Sequence, residues 1–256
     1  MPTLTELLEA GAHFGHKKER SHPRAKDFTY TIRDNVYVID LEQTVARLDA
    51  AIEYLKKQIE AGKTVLFVGT KRQAKDLIKK TATGLGMPYI VERWLGGTIT
   101  NFETINKSLK QLTKLEELVK SEEFNKYTKK ERSRIEEKIT KLNSIFEGIK
   151  DMKYLPDVLF VVDAAHEDVA VSEARKAGIP IVGICDTNAN PDLIDYPIPA
   201  NDDSEKTIAL ILAAIGSGVK ETIQRKQFLA KKSLENTRDK EEKAKVSTNS
   251  ATKENK

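Results

Sequence analysis

Residues 158–184 read VLFVVDAAHEDVAVSEARKAGIPIVGI, and this stretch decides the fold. Val158 to Val162 is a short β-rich run. A helical pattern follows from about Glu167 to Ala177, and a second run, Ile179 to Ile184, comes after it. A strand, a helix and a strand in that order make two parallel strands joined by a crossover, and the right-handedness of such crossovers restricts the topology to the doubly wound kind. Outward from this unit the pattern recurs. Thr64 to Val68 (TVLFV) is apolar throughout, as a strand covered on both faces is. Gly69 and Thr70 turn the chain into a helix expected from about Lys71 to Thr83, and Tyr89 to Val91 is a weaker strand. Earlier, Val36 to Ile39 leads through Asp40 into a helix whose Val45, Leu48, Ile52, Leu55 and Ile59 form one apolar stripe, closed by Gly62. Tyr196 to Ile198, flanked by prolines, is expected at an edge, and a last helix runs from about Asp203 to Arg225.

Residues 100–150 break the alternation. From Phe102 the apolar positions are Ile105, Leu109, Leu112 and Val119, with Leu115 and Leu118 near the same seam. They resume at Ile135, Ile139, Leu142, Phe146 and Ile149, spaced as a heptad seam is. Thr128 and Glu131 match a capping box for the second arm. Each arm of roughly 20 residues reaches about 30 Å at helical rise. The expectation is an antiparallel coiled-coil hairpin over 100–150, inserted into a discontinuous α/β body of 1–99 and 151–228. Phe124 and Tyr127 fall at or near its tip. Residues 229–256 have almost no apolar side chains and nearly balanced charge, and are expected to be disordered.

Composition narrows the classes. A net charge of +4 means that a nucleic-acid contact must use local patches. A lone cysteine, Cys185, excludes an internal disulfide framework. The opening MPTLTELLEAGAHFGH lacks the order of a signal peptide, and the longest nearly apolar run, Ile208 to Ile215, is too short to span a bilayer. The expectation is a cytoplasmic protein without membrane contact.

Candidate chemistry is sparse. Gly62-Lys63-Thr64 precedes its strand and lacks the earlier glycine of a P-loop. Gly69-Thr70-Lys71-Arg72 sits where a strand gives way to a helix, so its backbone N–H groups and two cations suit one phosphate oxygen. Asp40, Asp163 and Asp186 each end a strand, where carboxylates either hold Mg²⁺ or set caps and turns; capping is favoured. His13 and His16 are three apart, but Gly11 and Gly15 disfavour a helix that would aim both at a metal. The richest stretch is His13 to Arg33. Lys17, Lys18, Arg20, Arg24, Lys26 and Arg33 face only Glu19 and Asp27, with His16, His22, Phe14, Phe28 and Tyr30 interleaved. It reads as a loop that grips an RNA backbone and offers rings for stacking. Finally, RWLGGTITN (93–101) carries the only tryptophan at the base of the hairpin. Gly96 and Gly97 let the chain turn away, Thr98 or Thr100 caps the new helix, Trp94 wedges the hairpin against the body, and Arg93 stays at the rim for phosphate. Asn101 completes this junction.

Taken in order, LLEAGAHFGH, DNVYVIDLEQT, LFVGTKRQA, RWLGGTITNFETI, GIKDMKYLPDVLFVVD, EARKAGIPIVGICDTNANPD and DYPIPANDD resemble the blocks of the bacterial-type small-subunit ribosomal protein two family. The resemblance covers roughly residues 2 to 228. It implies a flavodoxin-like α/β body with a helical hairpin and no catalysis. It also implies binding to small-subunit ribosomal RNA near the head–body junction, and help in holding ribosomal protein one, which captures messenger RNA. On this basis His16, Lys17, Lys18, Arg20, Arg24, Lys71, Arg72 and Arg93 are the candidate RNA contacts. No cofactor, metal or small-molecule substrate is expected. The chain departs from the family at Ser21-His22-Pro23-Arg24, at Ile32-Arg33-Asp34-Asn35 and at Phe146-Glu147-Gly148-Ile149. Two other readings stay open: a Mg²⁺-dependent nucleotide-binding or phosphoryl-transfer enzyme using the aspartates, and a protein-binding adaptor acting through the coiled coil.

Overall fold

The computed structural model describes residues 1–225; the charged tail of 229–256 lies outside the described residues. Its centre is a five-stranded sheet of β4 (Val65–Val68), β5 (Tyr89–Ile90), β6 (Val158–Val162), β7 (Ile181–Cys185) and β8 (Tyr196–Pro199). The spatial order is β5-β4-β6-β7-β8, every neighbouring pair parallel. Counted along the chain this is the 2-1-3-4-5 order of flavodoxin-like sheets.

The reason is burial on both faces. Every residue of β4, β6 and β7 is buried. Val65, Phe67, Phe160 and Ile184 point to one core with α2 (Leu41–Glu60), α3 (Lys75–Leu85) and a last helix over 205–225. Leu66, Val68, Leu159 and Ile181 point to the other, with α6 (Asp168–Ala177) and α4 (Phe102–Lys120). Each such side chain contributes about 1.5–3 kcal/mol on full burial. The prolines of β8 fit its edge position, as expected.

Two expectations change. Val36–Ile39 (β3) is not in the parallel sheet. It is the middle strand of a separate antiparallel sheet between β1 (Phe14–Lys17) and β2 (Thr29–Arg33). The cause is the two-residue turn Asp34-Asn35, both at positive φ (50° and 63°), the conformation that closes a tight hairpin and that Asp and Asn tolerate best. The basic stretch is therefore no open loop. It is two strands with 3₁₀ turns at Lys18–Arg20 and Pro23–Phe28 between them.

The hairpin also meets the body differently. Ile105, Leu109 and Leu112 belong to the second core together with Leu66 and Val161, so the inner turns of α4 cover the sheet as a crossover helix does. Phe146 and Ile149, at the end of α5 (Lys129–Phe146) and just after it, join the same cluster. Outward, Leu115, Leu118, Val119, Ile135 and Ile139 are only half-buried. Thr128 and Glu131 make the expected capping box. At the connection Phe124 is buried and lies 6.4 Å from Tyr127, ring to ring, so only Tyr127 is offered to solvent. Gly148 is held where a Cβ would fall 2.1 Å from the Tyr89 carbonyl oxygen. A side chain at this position would collide with the Tyr89 backbone and ring.

Candidate nucleic-acid interface

Strands β4, β5 and β7 all end on the same side of a parallel sheet; Lys71 and Arg72 follow β4, and Arg93 follows β5. One residue that fastens the N-terminal segment there is Thr187, just beyond β7. Its hydroxyl accepts the His16 N–H at 2.8 Å and its carbonyl accepts the His22 N–H at 2.7 Å. Gly15 packs so closely that a Cβ would meet Thr187 Cγ2 at 2.7 Å. From this anchor Lys17, Lys18, Arg20 and Lys26 stand exposed, none in an ion pair that the described residues record. Arg24 is exposed but pairs with Asp192 at 3.2 Å. Arg33 lies 3.9 Å from Asp34, both nearly fully exposed. Of the rings, Phe28 carries the Arg47 guanidinium 4.3 Å from its centroid and Phe14 tilts on His13, leaving Tyr30, 78% exposed, as the free ring. Arg72 and Arg93 are exposed beyond β4 and β5.

Lys71 and His16 are not solvent-facing. The Lys71 ammonium lies 2.9 Å from Asp163, 2.7 Å from Asp202 and 2.6 Å from Asp203. Burial works against its charge, but the three carboxylates outweigh burial and raise its pKa. His16 Nδ1 sits 3.1 Å from Asp186 and Nε2 3.7 Å from Asp203; the Asp186 contact raises its pKa despite partial burial. Asp202, fully buried beside Asp163 and Asp186, is pushed up to about 8 even with Lys71 against it. Lys71 and His16 were both expected at the RNA. The structure instead uses their charge to compensate buried aspartates, because a buried carboxylate without a cation costs several kcal/mol.

The three strand-end aspartates divide in the same way. Asp40 accepts the Glu42 N–H and caps α2. Asp163, at φ 67°, accepts the His166 N–H and binds Lys71. Asp186 accepts the Thr187 N–H and faces His16.

The turn expected to hold a phosphate oxygen holds an internal one. Glu167 Oε1 accepts both the N–H and the hydroxyl of Thr70 at 2.7 Å. The helix after it begins at Lys75, later than Lys71. The hairpin junction repeats the device. Glu173, 6% exposed on α6, accepts from Trp94 Nε1 (3.1 Å) and from the Gly97 (2.7 Å), Ile99 (3.0 Å) and Thr100 (3.0 Å) N–H groups. It also accepts from the Thr100 hydroxyl at 3.0 Å. Burial raises its pKa, but these bonds outweigh burial and lower it. Trp94 is buried, in one apolar cluster with Ile99, Ile105 and Phe146. Only Gly97, at φ 91°, needs a glycine's backbone freedom; Gly96 has ordinary φ. Neither threonine caps α4. Thr98 donates to the Leu95 carbonyl, Thr100 to Glu173, and the N-cap Asn101 accepts from the Thr104 hydroxyl instead of a helix N–H. Glu167 and Glu173 escape sequence reasoning because glutamate on a helix looks like a solvated face.

No helix among the described residues is long and apolar enough to cross a membrane. The family described as Ribosomal protein S2 matches residues 7–222. A small ribosomal subunit protein uS2 from Roseiflexus castenholzii is 48% identical over 227 residues, covering 89% of this chain and 86% of the relative. One from Coprothermobacter proteolyticus is 47% identical over 219 residues (86% and 82%), and one from Nocardia farcinica 46% over 228 residues (89% and 80%). With a family model matched over residues 7–222 and relatives 46–48% identical over most of their length, the chain belongs to the ribosomal protein S2 family.

Proposed function

We propose that this chain is a structural, non-catalytic component of the small ribosomal subunit and binds its RNA near the head–body junction. The observation that carries the reading is the family match over 7–222. Its chemical support is the run Lys17, Lys18 and Arg20, exposed on a segment that Thr187 pins to the sheet. Arg24, Arg72 and Arg93 extend that run, and the exposed cations of the hairpin (100–150) add a second surface. Such groups touch phosphate, position the protein and carry little base specificity. Tyr30, exposed on β2, offers a ring for stacking. The reading extends to neighbouring small-subunit proteins, including help in anchoring protein one.

Sucrose-gradient sedimentation of a lysate containing tagged chain tests this directly. Co-migration with small subunits is the expected result. A chain that stays at the top while small subunits sediment without it overturns the reading.

A further inference from the structure

We propose that Glu173 is the positioning residue of the hairpin: one carboxylate on a body helix fixes the direction in which α4 leaves the sheet. Residues 94–100 are the only covalent route from β5 into α4, and Glu173 gathers five donors from them. Two further N–H groups are closed within the junction itself, Thr98 to Leu95 at 3.0 Å and Asn101 to Gly97 at 2.8 Å. Ile105 then bonds back to the Asn101 carbonyl, which carries the geometry into the first turn of α4. The inner face of α4 also packs on the body through Ile105, Leu109 and Leu112. That packing is apolar, so it holds the helix down but fixes its angle only to within about 15–20°. Hydrogen bonds to a carboxylate are directional and charge-assisted. The return path past Glu147 has a different kind of restraint: a surface pair with Lys79 and the close seat of Gly148 on Tyr89. The sharp orientational constraint therefore lies on the entry side.

Glutamine separates this role from space filling. Glu173→Gln keeps the volume but turns one oxygen into an NH₂ group. Whichever way the amide is placed, at least two donors then face a donor. A residue that merely filled the site tolerates the change; a carboxylate latch does not.

The test uses the full chain with nitroxide labels on Glu60→Cys, at the end of α2, and Lys130→Cys, at the outer end of α5. Both positions are exposed, while Cys185 is buried and does not label. Pulsed electron resonance reads the distance between hairpin and body. With Glu173 intact, one narrow distance peak is expected; with Glu173→Gln, a shifted and broadened one. If Glu173→Gln fails to fold, Trp94→Phe with Thr100→Val removes two of the five donors, keeps the carboxylate, and is expected to broaden the peak by less. A distance distribution that superimposes on that of the unsubstituted chain, in whichever variant folds, overturns the proposal. A parallel loss of affinity for small-subunit ribosomal RNA, several-fold in Glu173→Gln, rests on the function proposed above. An unsubstituted chain that binds no such RNA sinks that function and leaves the distance result to judge Glu173 alone.

Discussion

Replacing Lys71 by methionine keeps most of the side chain's length and removes its charge. The ammonium lies within 3 Å of oxygens on Asp163, Asp202 and Asp203, whose side chains are 6%, 0% and 58% exposed. Asp203 is solvated and loses little, about 0–1 kcal/mol. Asp163 and Asp202 are left in a dry site without a cation. Removing one partner of a buried pair costs about 3–5 kcal/mol, because the other charge stays buried. Proton uptake limits the damage, since Asp202 is already pushed up to about 8 and is neutral at low pH. The expected loss at pH 8 is therefore about 3–5 kcal/mol, and clearly smaller at pH 5. For a domain of this size each kcal/mol lowers Tm by about 2–4 °C, so melting falls by about 6–20 °C. Calorimetry at the two pH values reads it, with urea unfolding followed through Trp94 as a second probe. Adding Asp202→Asn to Lys71→Met recovers part of the loss. A penalty under about 1 kcal/mol, or one equal at both pH values, refutes the reasoning that Lys71 balances buried carboxylates.

The same cluster makes stability depend on pH. Asp202 keeps its proton to about pH 8 when folded but releases it near 4 when unfolded, so its contribution declines as pH rises across that window. His16, raised by Asp186, contributes fully below about 6.5 and loses that contribution as pH passes its folded value. Unfolding in urea is thus expected to be easier at pH 9 than at pH 6, and Asp202→Asn to flatten the difference. At the interface, changing Lys17, Lys18 and Arg20 together to glutamine is expected to weaken RNA binding and reduce the slope of log K against log salt by about 2–3, which filter binding across a salt series measures. In the hairpin, Leu109→Ala is expected to cost about 2–5 kcal/mol by cavity formation, and Val119→Ala, half-buried further out, well under that. Equal effects in thermal melts count against the packing of the inner turns of α4 on the body.

The five parallel strands were legible because burial on both faces demands unbroken apolar runs such as VLFV and VLFVV. The burial of Trp94 was legible from its place between a strand and a helix. Val36–Ile39 misled because four apolar residues before a helix look the same in either sheet; the deciding signal was Asp34-Asn35, whose side chains suit positive φ. The partners of Lys71 lie 92 and 131 residues away, and Glu173 meets its donors over gaps of 73 to 79. No local periodicity records such pairings. A lysine after a strand looks like a phosphate ligand until the fold brings three carboxylates to it.

The anchoring of the basic segment on Thr187 has a consequence for the order of events at synthesis. His16 waits for a hydroxyl 171 residues further along the chain. At about 5–20 residues per second, that partner is polymerised some 10–30 s later. For this interval Lys17, Lys18 and Arg20 are carried on a nascent chain that already holds β2 and β3 but lacks the parallel-sheet end on which the segment is seated. The basic segment is thus made well before the residue that anchors it, and its seat on the parallel sheet is completed only once Thr187, just beyond β7, is in place.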